Sequence, residues 1–301
     1  MNNVLVIGSV NHDVVIAVDR IPSVGETIKS TGIKYHNGGK GANQAVASAK
    51  SGVATDFIAA IGDDNIGEKL KASLVNASVN VDGVVEKNNC TTGQAFITVS
   101  KDGDNSIVIV PGANDMLSVE DIKSNENMFE SAKVLLVQLE VPMDIVEYSL
   151  KKGREYGLIT ILNPAPAINI PNELYKYIDI LTPNEKEIDI LIGEDEKKSY
   201  SEKAMTFIEK GVKRVIVTLG ENGAMDISEK GSESYTAYKS NVTDTTGAGD
   251  CFNGYLAAML AEGKSIKESI IYANKAASLS VAKAGAQESI PSREEVEMVF
   301  K

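Results

Sequence analysis

The 301-residue chain has few of the residues that cross-link or anchor small proteins: two cysteines, two histidines and no tryptophan. Cys90 and Cys251 are too few for a disulfide framework or a structural zinc site, and free thiols suit a reducing compartment. No apolar run approaches membrane-spanning length, and residues 1–7 are too short and uncharged for a signal peptide. We therefore expect a soluble, cytoplasmic protein that has no membrane partner.

Basic residues are also in short supply. The chain has 30 Lys and Arg residues and 42 Asp and Glu residues, which gives a formal net charge of -12 at pH 7. Nucleic-acid phosphates favour a basic surface, so nucleic acid is not an expected partner. The charge still permits a bound nucleotide if local amides, lysines or metal ions neutralise its phosphates. The length allows one large α/β domain, or one domain with a small appendage.

The sequence does contain short β-rich apolar runs that alternate with longer helical patterns. This alternation is typical of a parallel sheet wrapped by helices. The predicted core strands are 4–8, 57–61, 134–139, 158–162, 178–181 and 215–219. The predicted helices, which repeat apolar residues at three- and four-residue spacing, are 42–51, 66–76, 142–156, 202–210, 248–262 and 266–282.

Two other stretches alternate apolar with polar residues and have no helix between their runs. The first combines 14–18 with 27–35, and the second combines 94–100 with 106–110 across a hairpin signal at 101–104. They predict a small antiparallel sheet that is discontinuous in sequence. Such an appendage could cover a cleft, pair with another subunit through its exposed edge, or do both.

Polar residues gather where the predicted parallel strands end. Each one alone is explained by ordinary turn chemistry. Ligands of open α/β sheets bind outside the carboxyl ends of the strands, so the recurrence predicts one shared crevice. Its expected members are residues 8–13, Glu140, Asn163, Asn184, Glu187 and Gly220.

Residues 244–250 read DTTGAGD and precede a strongly apolar helical stretch. Small residues there leave backbone N–H groups free at the positive end of the helix dipole, and Asp250 closes the first turn. Capping alone explains Asp and Thr before a helix, whereas Gly247 and Gly249 lower helix propensity and permit close approach to the backbone. An anion cradle beside a carboxylate suits phosphoryl transfer to a hydroxyl. The helix dipole predicts a low pKa for Asp250.

A second glycine-rich motif, NGGKGANQA, occupies residues 37–45 before a predicted helix. Its spacing excludes a P-loop, which needs four residues between the first glycine and Gly-Lys-Ser/Thr. A dinucleotide fingerprint is excluded too, because residues 8–13 after the first strand read GSVNHD. What remains is a close-approach loop with Lys40 and Asn43 at a helix start, which suits a polyhydroxylated ligand or a phosphate.

Together the two motifs resemble those of the ribokinase-like (PfkB) carbohydrate kinase family. The resemblance extends from the first strand nearly to the last residue and includes Asn11, Asp13, NPAP at 163–166, TPNE at 182–185 and GAQ at 285–287. It implies one kinase domain over 1–301, built as a three-layer α/β sandwich with a mainly parallel central sheet. It also implies a small β-sheet lid, from about 14–36 and 92–111, and a homodimer formed through that lid.

The resemblance further implies ATP-dependent phosphorylation of D-ribose at its 5-hydroxyl, with Asp250 as the base. The implied anion hole consists of the amides of Gly247, Ala248, Gly249 and Asp250. The sugar-binding positions match Asn11, Asp13, Gly39, Lys40, Gly41, Asn43, Glu140 and Asp250. The ATP-binding positions match Asn184, Glu187, Thr218, Gly220, Gly223, Gly249 and Asn274, with Glu187 linked to Mg²⁺ through water. The positions for a monovalent cation, usually K⁺, match Asp244, Thr246, Ser280, Lys283 (through its carbonyl), Gly285 and Ser289.

Three other interpretations remain open from the sequence. A kinase of the same family that acts on deoxyribose, a nucleoside or another sugar would differ in as little as one recognised hydroxyl. A regulatory protein that binds a sugar without catalysis would have no need of Asp250 and its glycines. A nicotinamide dehydrogenase is the weakest alternative because its fingerprint is missing.

Overall fold

The computed structural model describes residues 2–193 and 198–299. Its strands, in chain order, are β1 (Asn3–Ile7), β2 (Asn11–Val18), β3 (Gly32–Gly38), β4 (Thr55–Gly62), β5 (Val79–Lys87), β6 (Gly93–Ser100), β7 (Asn105–Val110), β8 (Ala132–Val137), β9 (Ile159–Leu162), β10 (Ile180–Leu181), β11 (Arg214–Thr218), β12 (Ala224–Ser228) and β13 (Gly231–Tyr235).

The α-helices are α1 (Lys40–Lys50), α2 (Asn65–Asn76), α3 (Val119–Ser124), α4 (Asn127–Ser131), α5 (Met143–Glu155), α6 (Glu185–Ile192), α7 (Tyr200–Glu209), α8 (Ala248–Ala261), α9 (Ile266–Ser280) and α10 (Arg293–Val299). Short 3-10 turns cover Gly112–Met116, Asn172–Tyr177 and Gly220–Asn222. Over the two described ranges, no helix is both long enough and apolar enough to cross a bilayer.

Nine strands form one large sheet in the order β13-β12-β11-β10-β9-β8-β1-β4-β5. Neighbours from β11 to β5 pair parallel, and the β12–β13 hairpin adds two antiparallel strands at one edge. A parallel sheet buried on both faces needs continuous apolar strands, and β1 is fully buried from Val4 to Ile7. The predicted parallel α/β sheet is confirmed.

Two cores lie on opposite faces of this sheet, because successive side chains of a strand point to opposite sides. Val4 and Val6 pack in a cluster with residues of α1, α8 and α9. Leu5 and Ile7 pack in a second cluster with residues of α3, α4, α5 and α7. The sheet is therefore the middle layer of a three-layer sandwich.

The small sheet has the order β3-β2-β6-β7. The prediction of a purely antiparallel sheet is wrong for its central pair, since β2 and β6 run parallel, with Asn11 opposite Gly93. Both strands leave the large sheet at the same end and therefore point the same way. The hairpin of β6 and β7 around 101–104 is as predicted. β3 begins at Gly32, so residues 27–31 of the expected strand lie outside it.

The sequence pattern missed β5 at one edge of the large sheet and the β12–β13 hairpin at the other. β5 contains Asn80, Asp82 and Gly83, and β13 is exposed in four of its five residues. Because an edge strand is open on one side, its polar residues interrupt the apolar run that identifies a central strand. The predicted strand 178–181 is reduced to Ile180–Leu181.

Candidate active site

The carboxyl ends of β9, β10 and β11 and the starts of α1, α6 and α8 surround a cleft of about 170 Å³. Its lining is mainly polar and small, as a phosphate-binding site requires. The lining residues are Lys40, Asn163, Ala165, Thr182, Asn184, Glu187, Thr218, Gly247, Gly249, Asp250 and Asn253. Of the residues expected in a crevice at the strand ends, Asn163, Asn184 and Glu187 line this cleft, whereas residues 8–13, Glu140 and Gly220 do not.

The glycines of residues 37–45 bring the start of α1 against the β1–β2 connection. Gly39 has φ +89°, and a Cβ there would lie 2.6 Å from the backbone nitrogen of Asn11. A Cβ on Gly41 would lie 2.6 Å from the carbonyl carbon of Gly8. The Ala42 amide donates to the carbonyl oxygen of Ser9 at 2.9 Å. Only glycine fits these contacts, which align Lys40 and Asn43 with the residues after β1.

Asn11 and Asp13 lie at the start of β2, on the small sheet. Asn11 Oδ1 accepts a 2.8 Å hydrogen bond from Asn114 Nδ2. Asn114 is itself fixed by Val10, whose amide donates to Asn114 Oδ1 at 2.9 Å and whose carbonyl accepts from Nδ2 at 3.1 Å. The Asp13 carboxylate fills the space beside Gly38, where a Cβ would lie 2.2 Å from Oδ2. Sequence reasoning missed Asn114, which no local motif marks.

Glu140 follows β8 and accepts hydrogen bonds from Ser9, after β1, and from Lys40, in the glycine loop. Its Oε2 accepts from the Ser9 hydroxyl at 2.5 Å and from the Lys40 amide at 3.1 Å. Glu140 therefore links the segment after β1 to the start of α1, where the predicted sugar-binding residue Lys40 lies.

Asp250 is buried in the first turn of α8, and two side-chain amides hold its carboxylate. Asn43 Nδ2 donates to Oδ2 and Gln44 Nε2 donates to Oδ1, each at 2.9 Å. The expected low pKa is wrong. Burial raises the pKa of Asp250 above its ordinary value, and this outweighs Lys40 and the two amide donors, which lower it. The helix dipole argument failed because it ignored the cost of desolvating the charge.

The same burial acts on the neighbouring ionisable groups. It raises the pKa of Asp13 to about 7, and the charges of Glu140 and Asp250 add to the shift. It also raises the pKa of Glu187. Burial would lower the pKa of Lys40, but the nearby carboxylates outweigh it and the net shift is upward. The carboxylates that raise it are those of Asp250, Glu140, Glu187 and Asp13. Lys40 is thus a charged lysine at the centre of an acidic site.

The α8 N-terminus carries the expected glycines. Gly247 is left-handed, with φ +75°, and a Cβ there would lie 3.1 Å from Ala286 Cα. Nothing lies within 4 Å of a Cβ built on Gly249, so its side faces open space. The Ala248 amide donates to the Thr245 carbonyl at 3.2 Å, whereas first-turn amides such as those of Gly249 and Asp250 have no acceptor within the helix.

Asn184 and Glu187 form a capping box at the start of α6. Asn184 Oδ1 accepts from the Glu187 amide and Glu187 Oε2 accepts from the Asn184 amide, both at 2.8 Å. Thr218, the last residue of β11, bridges to Asn184. Three of the predicted nucleotide residues do not line the cleft. They are Gly220 and Gly223, in the turn after β11, and Asn274 on α9. The Asn274 side chain donates to the carbonyl oxygen of Tyr235 at 3.1 Å.

The six residues predicted for a monovalent cation fall into two groups. The first group consists of Asp244, Thr246 and Gly285. The Asp244 carboxylate holds it together, because Oδ1 accepts a hydrogen bond from the Thr246 amide at 2.9 Å and Oδ2 accepts one from the Gly285 amide at 3.0 Å. The others bond within the C-terminal segment. Ser280 and Ser289 donate to Ala277 O at 2.9 Å and Ala286 O at 2.8 Å, and Lys283 pairs with Glu295 at 2.8 Å. In the described ranges, no three or more His, Cys, Asp or Glu side chains cluster as a metal site.

Sequence reasoning also missed a chain of buried amides behind Asp250. Gln44 donates to Asn163 Oδ1 at 3.0 Å as well as to Asp250, and Gln138 Nε2 donates to Gln44 Oε1 at 2.7 Å. Asn253 Oδ1 accepts from the Thr182 hydroxyl at 2.6 Å. The available signal was a polar residue, Gln138, inside an otherwise apolar run.

Cys251 follows Asp250 on α8 and is fully buried. Burial raises the pKa of its thiol to about 12, against the smaller opposing effects of Ser280 and Lys50. The thiol therefore stays protonated and packs as a small apolar group.

The matches to known proteins agree with this geometry. The family model described as "pfkB family carbohydrate kinase" matches residues 1–293, and the chain belongs to that family. The chain is 40% identical to the ribokinase of Haemophilus influenzae, over 96% of this chain and 95% of the relative. It is 39% identical to the bifunctional ribokinase/ribose-5-phosphate isomerase A of Fructilactobacillus sanfranciscensis, over 98% of this chain, and spans 56% of that protein's length.

Among solved structures, Arabidopsis thaliana ribokinase complexed with ribose and ATP is similar, with a TM-score of 0.92 and 35% sequence identity. The match covers 99% of this chain and 98% of that one. The architecture described above is thus that of carbohydrate kinases of this family.

Proposed function

We propose that the chain catalyses the ATP-dependent phosphorylation of D-ribose at its 5-hydroxyl. The observation that carries the proposal is the buried Asp250 carboxylate, which is held by Asn43 and Gln44 at the open N-terminus of α8. The relatives named ribokinase, and the solved ribokinase with ribose and ATP, support this substrate pair.

In this proposal Asp250 accepts the proton of the attacking hydroxyl. Its raised pKa makes it a better proton acceptor than an exposed carboxylate, and it is still a modest base. The loose transition state of phosphoryl transfer needs little deprotonation until late, so the orientation of the hydroxyl is the larger contribution. The amides of Gly247, Gly249 and Asp250 would stabilise the transferred group; the Ala248 amide already has an acceptor.

The sugar would lie between the β2 start and the glycine loop. Asn43 Oδ1 is buried and has no hydrogen-bond partner among residues 2–193 and 198–299, so it is ready to accept from a hydroxyl. Asn11 Oδ1 is occupied by Asn114, which leaves its amide nitrogen for the ligand. Asp13 and Glu140 supply carboxylates that can grip neighbouring hydroxyls. Gly39, Lys40 and Gly41 form the wall that brings these groups together.

ATP would extend from α8 toward α6, with Asn184, Glu187 and Thr218 along the cleft and Gly220, Gly223 and Asn274 beyond it. The charges present fit a magnesium-bound nucleotide. One lysine faces four carboxylates, so a triphosphate needs additional positive charge to enter. Glu187 is the group we assign to that ion, through water, and the absence of a three-ligand cluster in the described chain agrees with a metal held largely by water and phosphate. Mg²⁺ would supply neutralisation of phosphate charge.

The residues assigned to a monovalent cation, such as K⁺, also fit oxygen coordination. Asp244 and Thr246, before α8, are joined to Gly285, after α9, by hydrogen bonds to the Asp244 carboxylate, and Lys283 directs its ammonium group to Glu295, which leaves only its carbonyl for a cation. Ser280 and Ser289 would complete the set. We assign the cation a role in holding the loop that precedes the anion hole.

We further propose that the small sheet is a lid on a single kinase domain and the contact surface of a homodimer. β7 is an edge strand whose six residues are all exposed, including four consecutive aliphatic residues from Ile107 to Val110. Such an edge is a template for pairing with a second copy. The two unpaired thiols, one of them fully buried, agree with a reducing, cytoplasmic location.

Sedimentation velocity tests the dimer. The parent should sediment as a dimer and Val108→Asp as a monomer, because the substitution places a charge in the contact. Val75→Asp, an exposed position at the end of α2, is the matched control and should remain dimeric. A monomeric parent, or a Val108→Asp dimer, would contradict the assignment.

Turnover by the purified protein tests the activity. ADP formation is measured with Mg²⁺ and K⁺ across ribose, deoxyribose, fructose, adenosine and no sugar. Ribose-dependent ADP formation that the other acceptors do not match supports the proposal. Preference for another acceptor retains the family and overturns the sugar assignment. Ribose binding without turnover would instead favour a regulatory protein.

A further inference from the structure

The buried amides behind Asp250 form a chain whose orientation is dictated by one backbone carbonyl. Asn163 Nδ2 donates to Thr182 O at 2.9 Å, and a carbonyl can only accept. Asn163 must therefore present Oδ1 to Gln44, and Gln44 must present its NH₂ group. That NH₂ group donates to both Asn163 Oδ1 at 3.0 Å and Asp250 Oδ1 at 2.9 Å. Gln44 Oε1 then faces Gln138, whose Nε2 donates to it at 2.7 Å.

The reverse orientation of Gln44 is excluded by the same partners. It would point Oε1 at Asp250 Oδ1 and Asn163 Oδ1, so that three acceptors would meet in a buried space. The hydrogen bonds from Gln138 to Gln44 and from Gln44 to Asp250 thus run toward the base, while Asn163 donates away from it, to the Thr182 carbonyl. The Thr182 carbonyl at the end of β10 anchors Asn163, and Asn163 and Gln138 orient Gln44 on α1, which in turn holds Asp250 Oδ1.

We propose that Gln44 is a positioning residue for Asp250: it holds Oδ1 so that the carboxylate keeps one orientation and stays ionised when the sugar hydroxyl arrives. This inference rests on the proposed function. Gln44 makes no contact with the sugar in this scheme, because both its polar atoms are used inside the protein. Its removal should therefore lower kcat more than it raises KM.

A pH profile separates this role from general packing. Four charged or ionisable groups face Asp250, and all stay in place in the variant: Lys40, Glu140, Asp13 and Glu187. Loss of the Gln44 donor removes a hydrogen bond to the ionised carboxylate, so the pKa of Asp250 rises further. The ionised base is lost as pH falls, and the acidic limb of kcat should therefore move to higher pH.

The first experiment compares Gln44→Leu with Ser48→Ala. Gln44→Leu should lower kcat by about 10- to 100-fold, as expected for a lost hydrogen bond to a charged group, with little change in KM. Ser48 is buried one turn later on α1, and its hydroxyl meets Thr55 Oγ1 at 2.8 Å, away from Asp250. Ser48→Ala should keep the parent kcat and pH profile. An equal loss in both variants, or an unshifted acidic limb in Gln44→Leu, would overturn the proposal.

A double-mutant cycle gives the sharper answer. If Gln44 acts only through the Asp250 carboxylate, adding Gln44→Leu to Asp250→Asn should leave the residual rate unchanged; multiplied losses would refute it. Gln138→Met, which removes the donor to Gln44 Oε1, serves if Gln44→Leu does not fold. It should shift the acidic limb in the same direction by a smaller amount, and no shift would count against the proposal. Failure of the proposed function is distinguishable, since the parent would then lack ribose-dependent turnover altogether.

Discussion

The two sheets of this molecule differ in what surrounds them and in the chemistry they carry. The large sheet is buried on both faces, and the helices packed on it supply Asp250 and its amide partners. The small sheet supplies Asn11 and Asp13 at the start of β2, and its outer strand β7 is exposed along its whole length. A fixed core thus holds the proposed base, while the more exposed sheet supplies sugar contacts and a surface for another chain. Turnover and sugar affinity should therefore respond to different substitutions.

The largest effect should come from the base on the large-sheet side. Asp250→Asn keeps the size of the side chain and removes the proton acceptor, so kcat should fall by roughly 10²- to 10⁴-fold, the usual contribution of general base catalysis. Ribose affinity, measured by titration calorimetry, should stay close to that of the parent. Near-normal turnover would remove Asp250 from its role, and a parallel loss of ribose affinity would show that the two sheets are not separable in this way.

Substitutions in the two sheets should also differ in their effect on the free energy of unfolding. Leu136 in β8 is fully buried, and Leu136→Ala should lower the free energy of unfolding by about 2–5 kcal/mol. Val108 in β7 is 61% exposed, and Val108→Ala should change it by less than about 0.5 kcal/mol in the monomer. Urea denaturation at low protein concentration measures both. Equal losses would mean that β7 is part of the folding core.

The most specific effect should come from Asp13 on the small sheet, because it depends on pH. Its folded-state pKa of about 7 lies above the ordinary value of 3.8, so the folded state loses stability as pH rises between these values. Asp13→Asn removes this loss, and its advantage in thermal unfolding over the parent should grow from pH 5 to pH 8. The same variant should bind ribose more weakly at pH 8, because a carboxylate acceptor is gone. Constant relative stability across this range would contradict the burial of an ionisable Asp13.

The sequence predicted the parts of the site that lie in continuous motifs, and it missed those that depend on long-range contacts. The glycine loop at 37–45 and the heptad at 244–250 carry their own chemistry, so Lys40, Asn43 and Asp250 could be identified. Asn114 lies 103 residues from its partner Asn11, and Gln138 lies 94 residues from Gln44; no local pattern joins them.

The pKa values of the site could not be predicted from the local sequence either. The raised pKa of Asp250 depends on the atoms packed around it, which a helix position alone does not reveal. The parallel pairing of β2 and β6 depends on where the large sheet releases both strands. Alternation of polar and apolar residues predicts that a strand is half-buried, and it is silent on the direction of its neighbour.

The burial of Cys251 makes the chain convenient to label. That thiol is inaccessible and stays protonated, whereas Cys90 is partly exposed in the turn between β5 and β6. A maleimide dye added to the folded protein will therefore attach at Cys90 alone, without any cysteine being engineered or removed. The dye would stand at the base of the small sheet, where its fluorescence could report movement of that sheet when sugar is added.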